Sequence, residues 1–185
     1  MVAPKGVRVT EQGKPARHSH TTLAAVWLAV MSSLSIHDVY NFRQAAPDLA
    51  TSGQPTEEQL GAIAAAGYNV VINLALHNDP RYSLRDEATS VRALGLDYVH
   101  IPVQFGAPTE GDLLAFFDAM DRNSGRRVWI HCAANMRVTA FVGLYRVLRL
   151  RWAEENAFSL MHTVWKPDQV WSAFIGSQLA KANDD

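Results

Sequence analysis

Two stretches constrain this chain more than any other feature: "YNVVINLAL" (Tyr68–Leu76) and "RRVWIHC" (Arg126–Cys132). Nearly continuous apolar runs rich in β-branched residues suit strands that are covered on both faces. A sheet covered on both faces is built mainly from parallel strands joined by helical crossovers. The segments between the runs fit that scheme. Thr56 with Gln59 forms a capping-box pattern, and Leu60, Ile63 and Ala64 give an apolar stripe that stops at Gly67. Ser83–Leu94 reads as a second helix ending at Gly95, followed by the strand "LDYVHIPV" (Leu96–Val103). Pro108 and Thr109 open a third helix, with Leu113, Phe116, Phe117 and Met120 on one face. Val138–Leu150 is apolar around most of its circumference, which places it in the middle of a core. Pro167 starts a final helix that turns Trp171, Phe174 and Ile175 inward. "ATSGQP" (Ala50–Pro55) reads as a strand end and loop. The expected fold class is therefore α/β, with a mostly parallel central sheet flanked by helices on both faces.

A chain of 185 residues suits one domain, expected here over residues 36–185. Residues 1–35 read as an extension outside the core. Lys5, Arg8, Lys14 and Arg17 precede "LAAVWLAV" (Leu23–Val30), the charge-then-apolar order of a secretory signal. That stretch lacks a clear small-x-small cleavage site and is too short to span a bilayer as a helix. A cytoplasmic protein is expected, with export as the alternative if the apolar stretch acts as a signal. The net charge of −1, without a long Lys/Arg stripe, gives no nucleic-acid footprint. A single cysteine excludes an internal disulfide and a cysteine-cluster zinc site. Among the seven histidines, His77, His100 and His131 come from different strand ends without a carboxylate-rich partner set, while His18 and His20 lie in the basic arm. No metal and no cofactor is expected. Trp129, Trp152, Trp165 and Trp171 read as packing, and Arg146, Arg149 and Arg151 as solvated helix ends.

The lone cysteine, Cys132, falls where ligands of parallel sheets bind: beyond the carboxyl end of a strand, before a helix N-terminus. The loop that follows, Ala133, Ala134, Asn135 and Met136, carries only small or unbranched side chains, plus an Asn that tolerates left-handed turns. Backbone N–H groups in such a loop can cradle an oxyanion, and the helix dipole favours a thiolate over a thiol. Arg137 adds a planar fork able to grip two phosphate oxygens. The same pattern also fits a small buried hydrophobe, since isolated cysteines are often inert.

"IHCAANMRVT" resembles the phosphate-binding loop of cysteine-dependent protein tyrosine and dual-specificity phosphatases, in which His-Cys is followed by five residues, Arg and then Ser or Thr. "ATSGQPTEEQL", "YNVVINLAL", "LDYVHIPV" and "APTEGDLLAFF" resemble the bacterial beta-lactamase-hydrolase-like branch of that superfamily. The likeness covers about residues 39–175. It implies a phosphatase-like fold and hydrolysis through a cysteinyl-phosphate. Cys132 would attack phosphorus, Arg137 and the loop amides would hold the equatorial oxygens, and His131 would orient the loop. Thr139 would assist the thiolate as leaving group. The implied partner is a phosphorylated protein or a small phosphoester; the oligomeric state is left open.

Two departures stand out. Four residues, not five, separate Cys132 from Arg137, a spacing shared with the bacterial branch and with rhodanese-type sulfurtransferases. The place of the family's Asp general acid falls on Gln104 or Phe105, neither of which can give up a proton; Asp79, Glu110 and Asp112 are the candidate replacements. Losing general acid assistance costs about 10²–10⁴ in rate, so a weak phosphatase is one expectation. A non-catalytic phosphate-binding module and a sulfurtransferase working through a Cys132 persulfide are the alternatives.

Overall fold

The computed structural model describes residues 34–184. The basic arm and apolar stretch discussed above therefore lie outside the described residues, as do His18 and His20. After a short 3₁₀ turn at Ile36–Asp38 come β1 (Arg43–Ala46) and β2 (Leu49–Ser52), then α1 (Glu57–Ala65) and β3 (Val70–Asn73). These are followed by α2 (Glu87–Ala93), β4 (Asp97–His100), α3 (Glu110–Arg122), β5 (Val128–His131) and α4 (Met136–Leu148). Two single-turn helices, α5 (Glu154–Ala157) and α6 (Ser159–His162), lead to α7 (Gln169–Asp184).

The five strands form one sheet in the order β1-β2-β5-β3-β4. All neighbouring pairs are parallel except β1 with β2. Alternation along each strand divides the core in two. Val70, Ile72, Val128 and Ile130 face Leu113 and Phe116 of α3, Phe141 and Leu144 of α4, and Trp171 of α7. Val71 and Trp129 face the other way, onto Leu60 and Ile63 of α1 and Val91 of α2. Each of these side chains, buried in full, contributes about 1.5–3 kcal/mol of hydrophobic stabilisation. The fold is α/β with helices on both faces, as the two apolar runs require.

Local chemistry explains where the elements begin. Thr56 and Thr109 accept from the N–H groups of Gln59 and Asp112, whose side chains accept in return from the two threonine N–H groups. The Ser83–Leu94 helix is shorter than its pattern suggests, starting at Glu87. Asp86 caps it through Thr89 N–H, while the Ser83 hydroxyl donates to Asp79 O and holds residues 79–85 in turns. The central helix likewise starts two residues before Val138, at Met136, and is buried almost throughout. Gly143 lets Phe158 pack against it, since a Cβ there would lie 2.3 Å from Phe158 Cδ1.

The structure also departs from the sequence expectations. Strand β1 has no pattern signal, whereas β2 ends where Ala50–Pro55 reads as a strand end; both are four residues long and their antiparallel pairing carries a register shift between Gln44 and Ala46. Trp152 is 44% exposed, lying against the Arg146 guanidinium rather than in the core. Arg146 is buried instead of solvated, and its Nη2 donates to Ala45 O at 2.8 Å, fastening α4 to the edge hairpin.

Candidate active site

Strand parity sends the two side chains at the end of β5 to opposite sides. His131 continues the Trp129 side, whereas Cys132 joins the Ile130 side and is 1% exposed. The chain then rises into the loop Ala133–Met136, whose carbonyls are pulled outward. Ala133 O accepts from Gln54 N at 3.2 Å, and Ala134 O from Asn41 Nδ2 at 3.2 Å. Asn135 O accepts from the N–H and hydroxyl of Thr139, at 3.1 and 2.9 Å. In a trans peptide the following N–H points the opposite way, so the N–H groups of Ala134, Asn135 and Met136 point away from those partners. Asn135 adopts φ 66°, a left-handed conformation that Asn tolerates. It stands at the N-cap of α4 without capping it, because its Nδ2 donates to Asn41 O and Thr51 Oγ1. The first-turn amides of α4 thus keep no side-chain cap, unlike those of α1 and α3.

Arg137 follows one residue into α4 and is only 9% exposed. Its Nη1 donates to Leu74 O at 3.0 Å, and its guanidinium lies 5.7 Å from the centre of the Phe105 ring. Its Nε is buried without a protein partner. Cys132, Arg137, Phe105, Ala133, Ala134 and Met136 line a single cavity of about 200 Å³. A thiol, a buried cation with a donor to spare and an uncapped helix start together can hold an oxyanion.

Glu87, which sequence reasoning missed, braces this arrangement from behind. It is wholly buried, and its Oε1 accepts from His131 Nε2 at 2.5 Å. Its Oε2 accepts from Gln54 Nε2 at 3.0 Å and Asn73 Nδ2 at 3.2 Å. Gln54 holds Ala133, His131 precedes Cys132, and Asn73 Oδ1 receives the N–H of Ala75, beside the Leu74 carbonyl that anchors Arg137. One carboxylate therefore ties together the three segments that shape the cavity. Burial pushes the Glu87 carboxyl up, but the charge and hydrogen bond of His131, with the bond from Gln54, outweigh it and hold the group below its ordinary 4.5. The stability this contributes is present above pH about 4.5 and is lost as pH falls through the lowered value. Glu87→Ala, which strands the donors of His131, Gln54 and Asn73, is expected to cost about 3–5 kcal/mol in urea unfolding at neutral pH. Glu87→Gln is expected to cost less, and its deficit against the native protein should shrink on acidification below that range. Nothing in the sequence betrayed this role, since a Glu in a first helical turn is ordinarily a solvated, dipole-favoured residue.

Asp79 pairs with Arg81 at 2.7 Å, and the hydrogen bonds from Arg81 hold its carboxyl below the usual range. Glu110 pairs with Lys181 at 2.7 Å, and Asp112 is engaged in the cap of α3. None of the three lines the cavity. The Thr139 hydroxyl donates into the first turn of α4 and accepts from Trp165 Nε1 at 3.3 Å. His77 and His100 stack with ring centres 4.2 Å apart, while His131 is engaged by Glu87. Among the described residues no group of three His, Cys, Asp or Glu side chains gathers as a metal site would. No described helix is long and apolar enough to cross a membrane.

Comparison with known proteins follows the same lines. The model of the family described as "DSP-PTPase phosphatase fused to NAD+ Kinase" matches residues 19–170. The chain belongs to this dual-specificity/tyrosine phosphatase family. A protein of Shewanella putrefaciens CN-32, described as a candidate phosphatase (DUF442), shares 33% identity and superposes with a TM-score of 0.71. That likeness covers 80% of this chain and 96% of the other. The beta-lactamase hydrolase-like protein of Xylella fastidiosa is 32% identical over 116 residues, covering 62% of this chain. The chain spans only 27% of that curated relative. TpbA of P. aeruginosa (C132S), solved in complex with pTyr, is similar in fold at 17% identity and a TM-score of 0.61, over 81% of this chain and 94% of that one.

Proposed function

We propose that the protein hydrolyses phosphate monoesters through a cysteinyl-phosphate on Cys132, acting on a phosphorylated protein or a small phosphoester. One observation carries this reading: the buried Cys132 shares its cavity with a nine-tenths buried Arg137 whose Nε has no protein partner. A thiolate at the base of the ring attacks phosphorus. The Arg137 fork and the N–H groups of Ala134 and Met136 stabilise the charge on the nonbridging oxygens. His131, fixed by Glu87, orients the strand end that delivers the thiol. Water then releases phosphate and restores the thiolate.

The test is chemical. Protein mixed with an aryl phosphate and quenched in acid should carry a phosphoryl group on Cys132, seen by peptide mass and by phosphorus NMR. Turnover without that adduct, undiminished in Cys132→Ser, would overturn the mechanism. Thermal stabilisation by inorganic phosphate with no turnover of any ester would instead identify a binding module. The four-residue spacing from Cys132 to Arg137 favours a second reading, sulfur transfer through a Cys132 persulfide. Its mark is thiosulfate-to-cyanide transfer together with a persulfide adduct on Cys132.

A further inference from the structure

We infer that the cavity serves phosphates whose leaving group departs as an anion without needing a proton, namely acyl phosphates and esters of acidic phenols carrying an apolar body. This rests on the cysteinyl-phosphate reading above and specifies its substrate. Among the described residues lining the cavity, Arg137 and the thiol are the only ionisable groups; no carboxyl or imidazole borders it. The segment where the family resemblance puts a general acid holds Gln104 and Phe105, and of these Phe105 lines the cavity with its ring fixed in place. Phe105 O accepts from Trp171 Nε1 at 2.9 Å, and the ring lies 5.8 and 5.7 Å from the rings of Trp165 and Trp171. The Arg137 guanidinium also packs against the ring. The carboxylates of Asp79, Glu110 and Asp112 are committed to Arg81, Lys181 and the N–H and hydroxyl of Thr109 in the cap of α3. With Phe105, Ala133, Ala134 and Met136 as its walls, the cavity meets the rest of the substrate with apolar surface.

The chemistry balances without an acid. The thiolate lone pair forms the S–P bond while the bond from phosphorus to the leaving oxygen breaks, and that electron pair stays on a carboxylate or an acidic phenolate. In the second half, a water oxygen bonds to phosphorus, the S–P pair returns to sulfur, and the water protons pass to the phosphate and to solvent. No described residue lining the cavity is a base that could assist that water, so the phosphoenzyme accumulates when the first half is fast.

The test compares benzoyl phosphate, 2,4-dinitrophenyl phosphate and phosphotyrosine on the full chain. The expected kcat/KM is about 10²–10⁴-fold higher for the first two, the factor ordinarily supplied by general acid catalysis. Both should release a burst of one leaving group per active site, with phospho-Cys132 trapped in the same quench. Asp79→Asn, Glu110→Gln and Asp112→Asn should not selectively slow phosphotyrosine. Phosphotyrosine turned over within about tenfold of benzoyl phosphate, or selectively lost in one of those variants, would overturn the inference. Phospho-Cys132 would still form in that case, leaving the cysteinyl-phosphate reading intact. If no probe phosphorylates Cys132, both fall together.

Discussion

Cys132→Ser is expected to lower aryl phosphatase turnover by at least about 10⁴-fold, because an alkoxide is far harder to generate than a thiolate and none of the described residues lining the cavity is a base able to make one. The thiol is 1% exposed and sits among the α3–α4 core residues, so the exchange alters reactivity with little change in shape. Burying a hydroxyl in place of a thiol costs about 1–3 kcal/mol unless it finds a hydrogen bond. A thermal melt run beside the rate assay separates the two effects: a folded protein, stabilised by phosphate as before, that no longer turns over. Retention of a tenth or more of the native rate would remove Cys132 from the chemistry.

Arg137→Met is expected to reduce kcat/KM by about 10²–10³, the loss ordinarily seen when one donor to a developing oxyanion is removed. Methionine keeps an unbranched apolar stem against Phe105 while deleting the charge. Arg137→Lys restores the charge but not the fork, and should recover only a small part of the loss. Stability is expected to move the other way. The native guanidinium is nine-tenths buried, bonded to Leu74 O, and retains a buried Nε without a protein partner. Taking such a cation out of a low-dielectric site removes a desolvation cost. An inactive variant with an unchanged or raised melting temperature would show that Arg137 is held there against the interest of stability, for an anion. A variant losing both together would make it a structural strut.

Much of the architecture was legible because it is written in periodicity. The apolar runs before Asn73 and His131 specify buried strands, the threonine-led boxes at Thr56 and Thr109 specify helix starts, and the nearly all-apolar helix could only be central. The position of Cys132 at a strand end followed directly, as did that of Arg137 just beyond it. What escaped notice depends on contacts between distant segments. Glu87 looks like a solvated first-turn residue until the fold places Gln54, Asn73 and His131 around it. Arg146 and Trp152 exchange their expected environments because β1, too short and irregular to leave a pattern, offers Ala45 O to the arginine. The role of Phe105 as a clamped wall required two tryptophans from beyond residue 160.

The left-handed turn at Asn135 has a thermodynamic consequence. Its side chain is bonded to Asn41 and Thr51, its carbonyl to Thr139, and the next carbonyl upstream to Asn41. On the cysteinyl-phosphate reading the ring is thus closed without an anion, and closing it would form no part of the binding event. Association avoids the roughly 0.5–1.5 kcal/mol per immobilised side chain that a flexible loop would forfeit. What remains to be overcome is the hydration of the phosphate itself, so affinity should follow the charge of the anion rather than the rigidity of the protein.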